Sequence, residues 1–392
     1  MCLSCGRRHG LDFSPARRKY IDQSFGREKE EPRRASARAP RRISFDRSGD
    51  EQVSVVRAAV FRGVGEGLAI ERVPDVTPGE GQVVLQVAAS GICGSDLDMT
   101  SGGGGFTVEP GTIVGHEYAG TVVATGPGVD RVRAGDRIAP LPMGGCGHCS
   151  GCLEGAPIFC DDKPPWRFGG YAEYVVADET TSVVLPDSLT FEQGALVEPL
   201  AVALHGVHLA QVRPGAAALV LGAGPIAVAT VFWLRRMGAG AIVVGAPSRR
   251  RERFVRAAGA TSFLTTEERT PEALAELCDG MPELVIDAAG APGTLGGALE
   301  SVGPRGAVVV VGWCLQPDTL MPAVAVQKEL RVQFSMCYAV RDFAFTVRTL
   351  ADGAPELDAM VTGRCSLDTL PQTFESLRAI NEHCKVLIAP GI

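Results

Sequence analysis

"ALVLGAGPIAVATVFWLRRMGA" (residues 218–239) is where the fold becomes legible. A short apolar run reads as a buried strand, a turn of small residues comes next, and a helix follows. Gly222-x-Gly224-x-x-Ala227 falls at that strand-to-helix junction. Gly222 permits the tight turn, Gly224 lets backbone approach a pyrophosphate, and Ala227 is small enough for close helix–strand packing; Pro225 and Ile226 lie between them. The helix N-terminus would face phosphates with its free N–H groups and positive dipole end. This is the pattern of a dinucleotide site.

The next strand, "AIVV", arrives at the expected distance, and the residues just beyond it select the cofactor. An NAD site places Asp or Glu there to grip the ribose hydroxyls. This chain instead has Gly245 and Ala246, then Ser248, Arg249, Arg250 and Arg251. A missing carboxylate beside several guanidinium groups suits the 2′-phosphate of NADP, which Arg binds as a planar fork. Read blandly, the arginines are a solvated first helical turn. Cations at a helix N-terminus oppose the dipole, however, and an anionic ligand would compensate for that. NADP is therefore expected in preference to NAD.

Outward from this segment, the chain divides by period. Residues 53 to about 186 carry short β-rich runs between Gly- and Pro-containing turns, such as "QVVLQVAASGIC" and "GTVVATGPG". "FEQGALVEPLAVALHGVHLA" is helical in period, and from "AALVLGAG" to "VVVVGWC" β runs alternate with helices, as in a parallel sheet with crossovers. Residues 1–52 have no sustained apolar period and are rich in Arg, Ser, Pro and acidic residues. They are expected to be a disordered extension, with Cys2 and Cys5 as incidental thiols.

The 392 residues allow two sizeable cores, with 45% apolar and 21% charged residues. A formal net charge of −7 argues against general nucleic-acid or anionic-membrane binding. No apolar run approaches the roughly 20 residues needed to span a bilayer. The N-terminus has no apolar leader, so a cytoplasmic location is expected.

Metal chemistry is written in two places. Cys146, Cys149, Cys152 and Cys160 fall within fifteen positions. In a chain with no secretion signal, that clustering reads as metal binding rather than cross-linking. Cys93 in "GICGSDLDM", His116 and Glu117 in "VGHEY" and Glu198 in "LVEPLAVALHG" together supply S, N and O donors suited to one zinc.

From about Val53 to Pro390 the chain resembles the zinc-dependent medium-chain dehydrogenase/reductase family, especially its sorbitol-like polyol and threonine dehydrogenase branch. The matching motifs are "GICGSD", "GHEYAGTVVATGPGV", "GDRIA", the four-cysteine lobe, "GGYAEYVV", "EPLAVALHGV", "LVLGAGPIA" and "KELRVQFS". The resemblance implies an α/β protein with a GroES-like β-rich catalytic domain (53–204, with a structural-zinc lobe at 143–161). A Rossmann doubly wound parallel-sheet domain (205–336) binds NAD(P), and 337–392 returns to the catalytic domain.

It also implies roles. Cys93 and His116 match catalytic zinc ligands; Glu117 matches a glutamate that ligates zinc in the polyol branch, and Glu198 matches the remaining ligand position or a group holding zinc-bound water. Asp96 matches an acid that orients the ligand His, and Ser95 the hydroxyl that takes the substrate's proton. Relatives often carry a proton-relaying His five residues after the ligand Cys; this chain has Asp98 there, so the relay runs through Asp98, a ribose hydroxyl or water. The lobe cysteines match a second, structural zinc whose closed thiolate shell catalyses nothing.

The implied activity is hydride transfer between NADP(H) and a secondary alcohol, ketone or aldehyde, with biosynthetic reduction as the expected direction. An NAD-dependent polyol or threonine dehydrogenase is the alternative, and a nucleotide-responsive binding protein without turnover is the second. Trp166 and Phe168 are candidates for the substrate pocket, as is the 100–110 loop. Relatives pair through an edge strand of the cofactor domain, so a homodimer or homotetramer is expected, with 306–314 as the matching run; its apolar character suits such pairing and equally suits a buried strand within one sheet.

Overall fold

The computed structural model describes residues 55–103, 107–162 and 166–391. The N-terminal extension with Cys2 and Cys5, and parts of the 100–110 and 163–170 loops, lie outside the described residues.

Strands β1 (Val55–Gly63) and β2 (Gly67–Pro74) form an antiparallel hairpin. β3 (Gln82–Gly91) leads into the short helix α1 (Gly94–Met99), and β4 (Glu117–Thr125) and β5 (Arg137–Pro140) come next. A small lobe holds α2 (Ser150–Leu153), after which β6 (Tyr174–Asp178) and β7 (Ser182–Val184) return to the sheet. Two helices, α3 (Phe191–Ala195) and α4 (Val197–Ala210), lead out of this half. The sequence reads as one helix there, but the chain breaks at Leu196. Pro199 has no N–H to donate and is tolerated only in a first turn, so a new helix starts just before it.

The cofactor half alternates strands with helices: β8 (Ala218–Leu221), α5 (Pro225–Arg236), β9 (Ile242–Ala246), α6 (Glu252–Ala257), β10 (Ser262–Thr265), α7 (Pro271–Cys278), β11 (Leu284–Asp287), α8 (Thr294–Ser301), β12 (Ala307–Val310), α9 (Pro322–Gln327) and β13 (Arg331–Phe334). All pairings are parallel, in the order β10-β9-β8-β11-β12-β13. β8, β9 and β11 are buried along their whole length, as strands covered by helices on both faces must be. The order reverses between β8 and β11. The crevice at their carboxyl ends is the expected cofactor position.

The chain closes with α10 (Val340–Ala351), β14 (Val361–Ser366), α11 (Leu370–Ser376) and β15 (Lys385–Ala389). β14 and β15 join the first half in a sheet ordered β14-β15-β3-β4-β5-β7, with β6 also paired to β3. Residues near both ends of the described chain therefore build one sheet.

One expectation needs correcting. The run 306–314 contains β12, which is an inner strand flanked by β11 and β13. Its apolar residues Ala307, Val308 and Val309 are buried within the sheet, and the edge belongs to β13, whose four residues are exposed.

Candidate active site

Cys93 is the N-cap of α1, so the helix starts at a zinc-ligand candidate and projects Ser95 and Asp96 from its first turn. Asp96 is fully buried and accepts four hydrogen bonds: from Cys93 N (3.1 Å), Gly115 N (3.3 Å), His116 Nδ1 (3.0 Å) and Tyr171 Oη (2.6 Å). Burial alone would raise its pKa, but His116 and these donors together hold it below the usual carboxylate range. With Nδ1 committed to Asp96, His116 has Nε2 left for a metal. Ser95 Oγ lies 3.4 Å from that nitrogen and 3.2 Å from Cys93 Sγ.

The ligand atoms of Cys93, His116 and Glu117 all lie within 4.8 Å of one another. Glu198, buried at the start of α4, is not in that set; burial pushes its carboxyl up to about 7. Glu117 opens β4 and is fully buried against Lys385, the first residue of β15. Lys385 Nζ donates to both Glu117 oxygens at 2.7 Å and to the Ile92 carbonyl at 3.1 Å. Gly91 makes room for the pair: a Cβ there would stand 2.0 Å from Glu117 Oε2. The mixed S, N and O donors fit an open zinc site.

Phe168 stands edge-on to His116, with ring centroids 6.2 Å apart, and stacks on Trp166 at 5.6 Å. The two aromatics named from the sequence thus form one wall beside the metal ligands. Arg167 between them turns away into an ion pair with Asp178. Asp98 lines a separate cavity of about 260 Å³ with Ser101, Trp313, Cys314 and Gln316, where burial raises its pKa against the influence of Arg378.

In the lobe, the ligand atoms of Cys146, Cys149, Cys152 and Cys160 lie within 4.8 Å of one another. Backbone N–H groups point at the sulfurs, Cys146 N to Cys160 Sγ (3.3 Å) and Cys149 N to Cys146 Sγ (3.4 Å). Donation from the Asp161 and Cys152 backbone brings the Cys149 thiol down to about 6, while burial pushes Cys152 up to about 12. A tetrahedral thiolate-bound ion fits four sulfurs so placed. His148 is exposed on the rim and bonds the Cys146 carbonyl.

At the sheet switch point, Gly222 has φ +105°, a left-handed value that only glycine adopts freely, and Gly224 caps α5 with open space where a Cβ would be. Pro225 is the first residue of α5, Ile226 is the second and Ala227 is fully buried. Beyond β9, a pocket of about 330 Å³ is lined by Ala246, Ser248, Arg250 and Arg251 on one side and by Arg378 and Asn381 on the other. Arg249 is not among its lining residues: it pairs with Glu252 (2.8 Å) and Glu268 (2.6 Å) over the Phe263 ring. Sequence reasoning therefore grouped three adjacent arginines that the turn separates.

It also missed Lys385, Arg378 and Asn381. Lys385 left a signal, a lone charge opening the apolar run "KVLIA". Arg378 and Asn381 left none, because their partners are far away in the chain.

Comparison with known proteins identifies the two halves of the chain. Residues 79–187 match the alcohol dehydrogenase GroES-like domain and 225–352 the zinc-binding dehydrogenase domain. Sorbitol dehydrogenase of Bacillus subtilis is 32% identical over 86% of this chain and 98% of its own length. Among solved structures, a zinc-binding dehydrogenase of Sinorhizobium meliloti bound to NADP superposes with a TM-score of 0.79 at 31% identity, covering 86% of this chain and all of that one. An alcohol dehydrogenase of Escherichia coli complexed with NADH gives 0.78 at 26% identity, with the same coverage. The two family models and the sorbitol dehydrogenase relative make this chain a zinc-type alcohol dehydrogenase of the medium-chain dehydrogenase/reductase family, an oxidoreductase of the polyol and alcohol dehydrogenase kind.

Proposed function

We propose that the enzyme transfers hydride between NADP(H) and a secondary alcohol or its ketone, working as a reductase. The observation that carries the cofactor choice is the pocket beyond β9, lined by Arg250, Arg251 and Arg378 and by no carboxylate. An adenosine ribose bearing a 2′-phosphate is the part of a dinucleotide that such a pocket would favour.

Cys93, His116 and Glu117 would hold the catalytic zinc, which supplies Lewis acidity toward the substrate oxygen when bound. Asp96 fixes the His116 ring. Ser95 takes the proton of a substrate hydroxyl, or returns it in reduction, and Asp98 faces the neighbouring cavity as its route outward. Phe168 and Trp166 form an apolar wall suited to the carbon skeleton of a bulky or cyclic alcohol. The lobe cysteines would hold a second zinc that fixes a loop. The exposed edge of β13, with Phe334 62% exposed, supports pairing of two copies through the cofactor sheet.

The test is cofactor titration of purified enzyme. NADPH is expected to bind at least tenfold more tightly than NADH. Arg250→Ala should erase the difference, and Arg249→Ala, whose side chain is held elsewhere, should keep it. Equal binding of NADH by the wild type sinks the NADP reading and leaves NAD-linked polyol oxidation, which the sorbitol dehydrogenase relative and the NADH-bound neighbour favour.

A further inference from the structure

Arg378 stands where the cofactor pocket meets the catalytic helix. Its guanidinium donates from Nη1 to the Leu97 carbonyl (2.6 Å), from Nη2 to Thr100 Oγ1 (2.7 Å) and from Nε to Glu375 (2.8 Å). Leu97 and Thr100 mark the far end of α1, where the Leu97 carbonyl also accepts from Thr100 Oγ1 (3.1 Å), so Arg378 adds to the C-terminal cap of this short helix. At its other end α1 begins at Cys93 and presents Ser95. Arg378 therefore anchors the element that positions the reacting hydroxyl.

The same side chain lines the pocket with Ser248, Arg250, Arg251 and Asn381, and Glu375 is not among the lining residues. Two further features of the pocket point to a missing anion. Arg251 Nε is buried without a hydrogen-bond partner, although Arg251 Nη2 reaches Asn381 Oδ1 at 3.1 Å. Arg250 has no ion-pair partner among the described residues. A guanidinium carries five N–H donors; Leu97, Thr100 and the two Glu375 oxygens (Nη2 reaches the second at 3.4 Å) take four, which leaves Arg378 one Nη1 donor for the pocket.

We propose that Arg378 determines cofactor specificity and positions Ser95 at once: with Arg250 it reads the 2′-phosphate of NADP, and through Leu97 and Thr100 it ties that phosphate to the seating of α1. The inference rests on the NADP reading above and goes beyond it in one respect. The phosphate should raise kcat as well as affinity.

The experiment uses the full-length, zinc-loaded enzyme and two cofactor fragments, 2′,5′-ADP and 5′-AMP, with binding measured by calorimetry beside kcat at saturating NADPH. Wild type is expected to prefer 2′,5′-ADP. Arg378→Gln should lose roughly ten- to a hundredfold in 2′,5′-ADP affinity, the range for a hydrogen bond to a charged group, with 5′-AMP unchanged and kcat lowered. Thr100→Val, which cuts only the α1 side, should lower kcat and keep the fragment preference.

If Arg250→Gln loses the preference while Arg378→Gln keeps it, the NADP reading stands and the role of Arg378 is overturned. Equal loss for both fragments overturns it too, since that is the mark of a disturbed fold. Unchanged kcat in both Arg378→Gln and Thr100→Val removes the tether. No preference in the wild type removes the NADP reading, and this inference with it. Should Arg378→Gln fail to fold, judged by zinc content and thermal midpoint, Arg378→Lys keeps the charge without the fork and should show a smaller loss confined to 2′,5′-ADP.

Discussion

The two candidate metal-ligand clusters are built by opposite means. The lobe draws four like donors from residues 146–160, three of them half-buried and Cys160 buried. The catalytic cluster draws unlike donors from a helix cap at 93 and a strand start at 116–117, and braces them with a lysine from 385. A cluster made locally can be lost without disturbing the rest of the fold. A cluster made by topology cannot be separated from the sheet that carries it.

Removing one ligand from each cluster gives the sharpest contrast. Cys93→Ala should lower kcat/KM by about a thousandfold or more, because the Lewis acid contributes several kcal/mol to the transition state. Cys152→Ser should lose one zinc per chain with most of the specific activity kept at low temperature. Its cost should appear in the thermal midpoint, at roughly 2–4 °C per kcal/mol. Metal analysis, kinetics and melting on the same samples decide it. A Cys152→Ser enzyme as inactive as Cys93→Ala would mean that the lobe contributes to the chemistry.

The second test breaks the brace rather than a ligand. Lys385→Met leaves the Glu117 carboxyl buried without its partner, which should destabilise the metal-free protein by about 3–5 kcal/mol. Adding Glu117→Gln to that variant should restore much of the loss, and a double-mutant cycle in urea measures the coupling. Additive losses would show that the two groups do not depend on each other. Asp96→Asn is the milder version: it removes the negative charge and one of the two acceptor oxygens around which His116, Tyr171 and two backbone N–H groups are arranged, and should weaken zinc binding by about 10–100-fold, read by competition with a chelator.

The same contrast explains what the sequence could reveal. The clustering of the lobe cysteines was legible because close spacing keeps them together, and family resemblance supplied their role. The Rossmann half was legible because Gly222, Gly224 and Ala227 each answer a local steric need, and because apolar runs alternate with helical ones. Cys93, His116, Glu117 and Glu198 were grouped from their donor types, and family resemblance supplied their roles; the ligand atoms of the first three do lie together, and Glu198 stands outside that set. The Glu117–Lys385 pair was not found, since parts of the chain 268 residues apart meet only when β15 joins β3. Arg249 was misplaced for a smaller reason: adjacency along the chain says nothing about which way each side chain leaves a turn, and two nearby glutamates claimed it. The exposed edge passed from 306–314 to β13 because an apolar run alone does not tell an inner strand from an outer one.

A third cluster uses metal-site residue types for another purpose, and it yields the smallest expected effect. α4 carries His205 and His208, and both Nδ1 atoms meet the fully buried Asp342 of α10, at 2.9 and 3.1 Å; the Ala339 N–H donates to it as well. These three do not form a set of ligand atoms within 4.8 Å of one another. The carboxylate is enclosed by donors, so the arrangement clamps two helices. Burial alone would push the Asp342 carboxyl up, but the donors from His205, His208 and Ala339 reverse that and hold it well below its ordinary value. A depressed folded-state pKa means stability that is present above the unfolded value near pH 4 and lost as pH falls through the folded one. Asp342→Asn should therefore destabilise the protein at pH 7 by about 1.5–3 kcal/mol, and the gap to wild type should narrow as pH falls below about 4. Denaturant unfolding at pH 7 and at successive lower values reads both. Chelators should leave the difference unchanged, whereas a gap that is constant with pH would make the contact one of shape rather than charge.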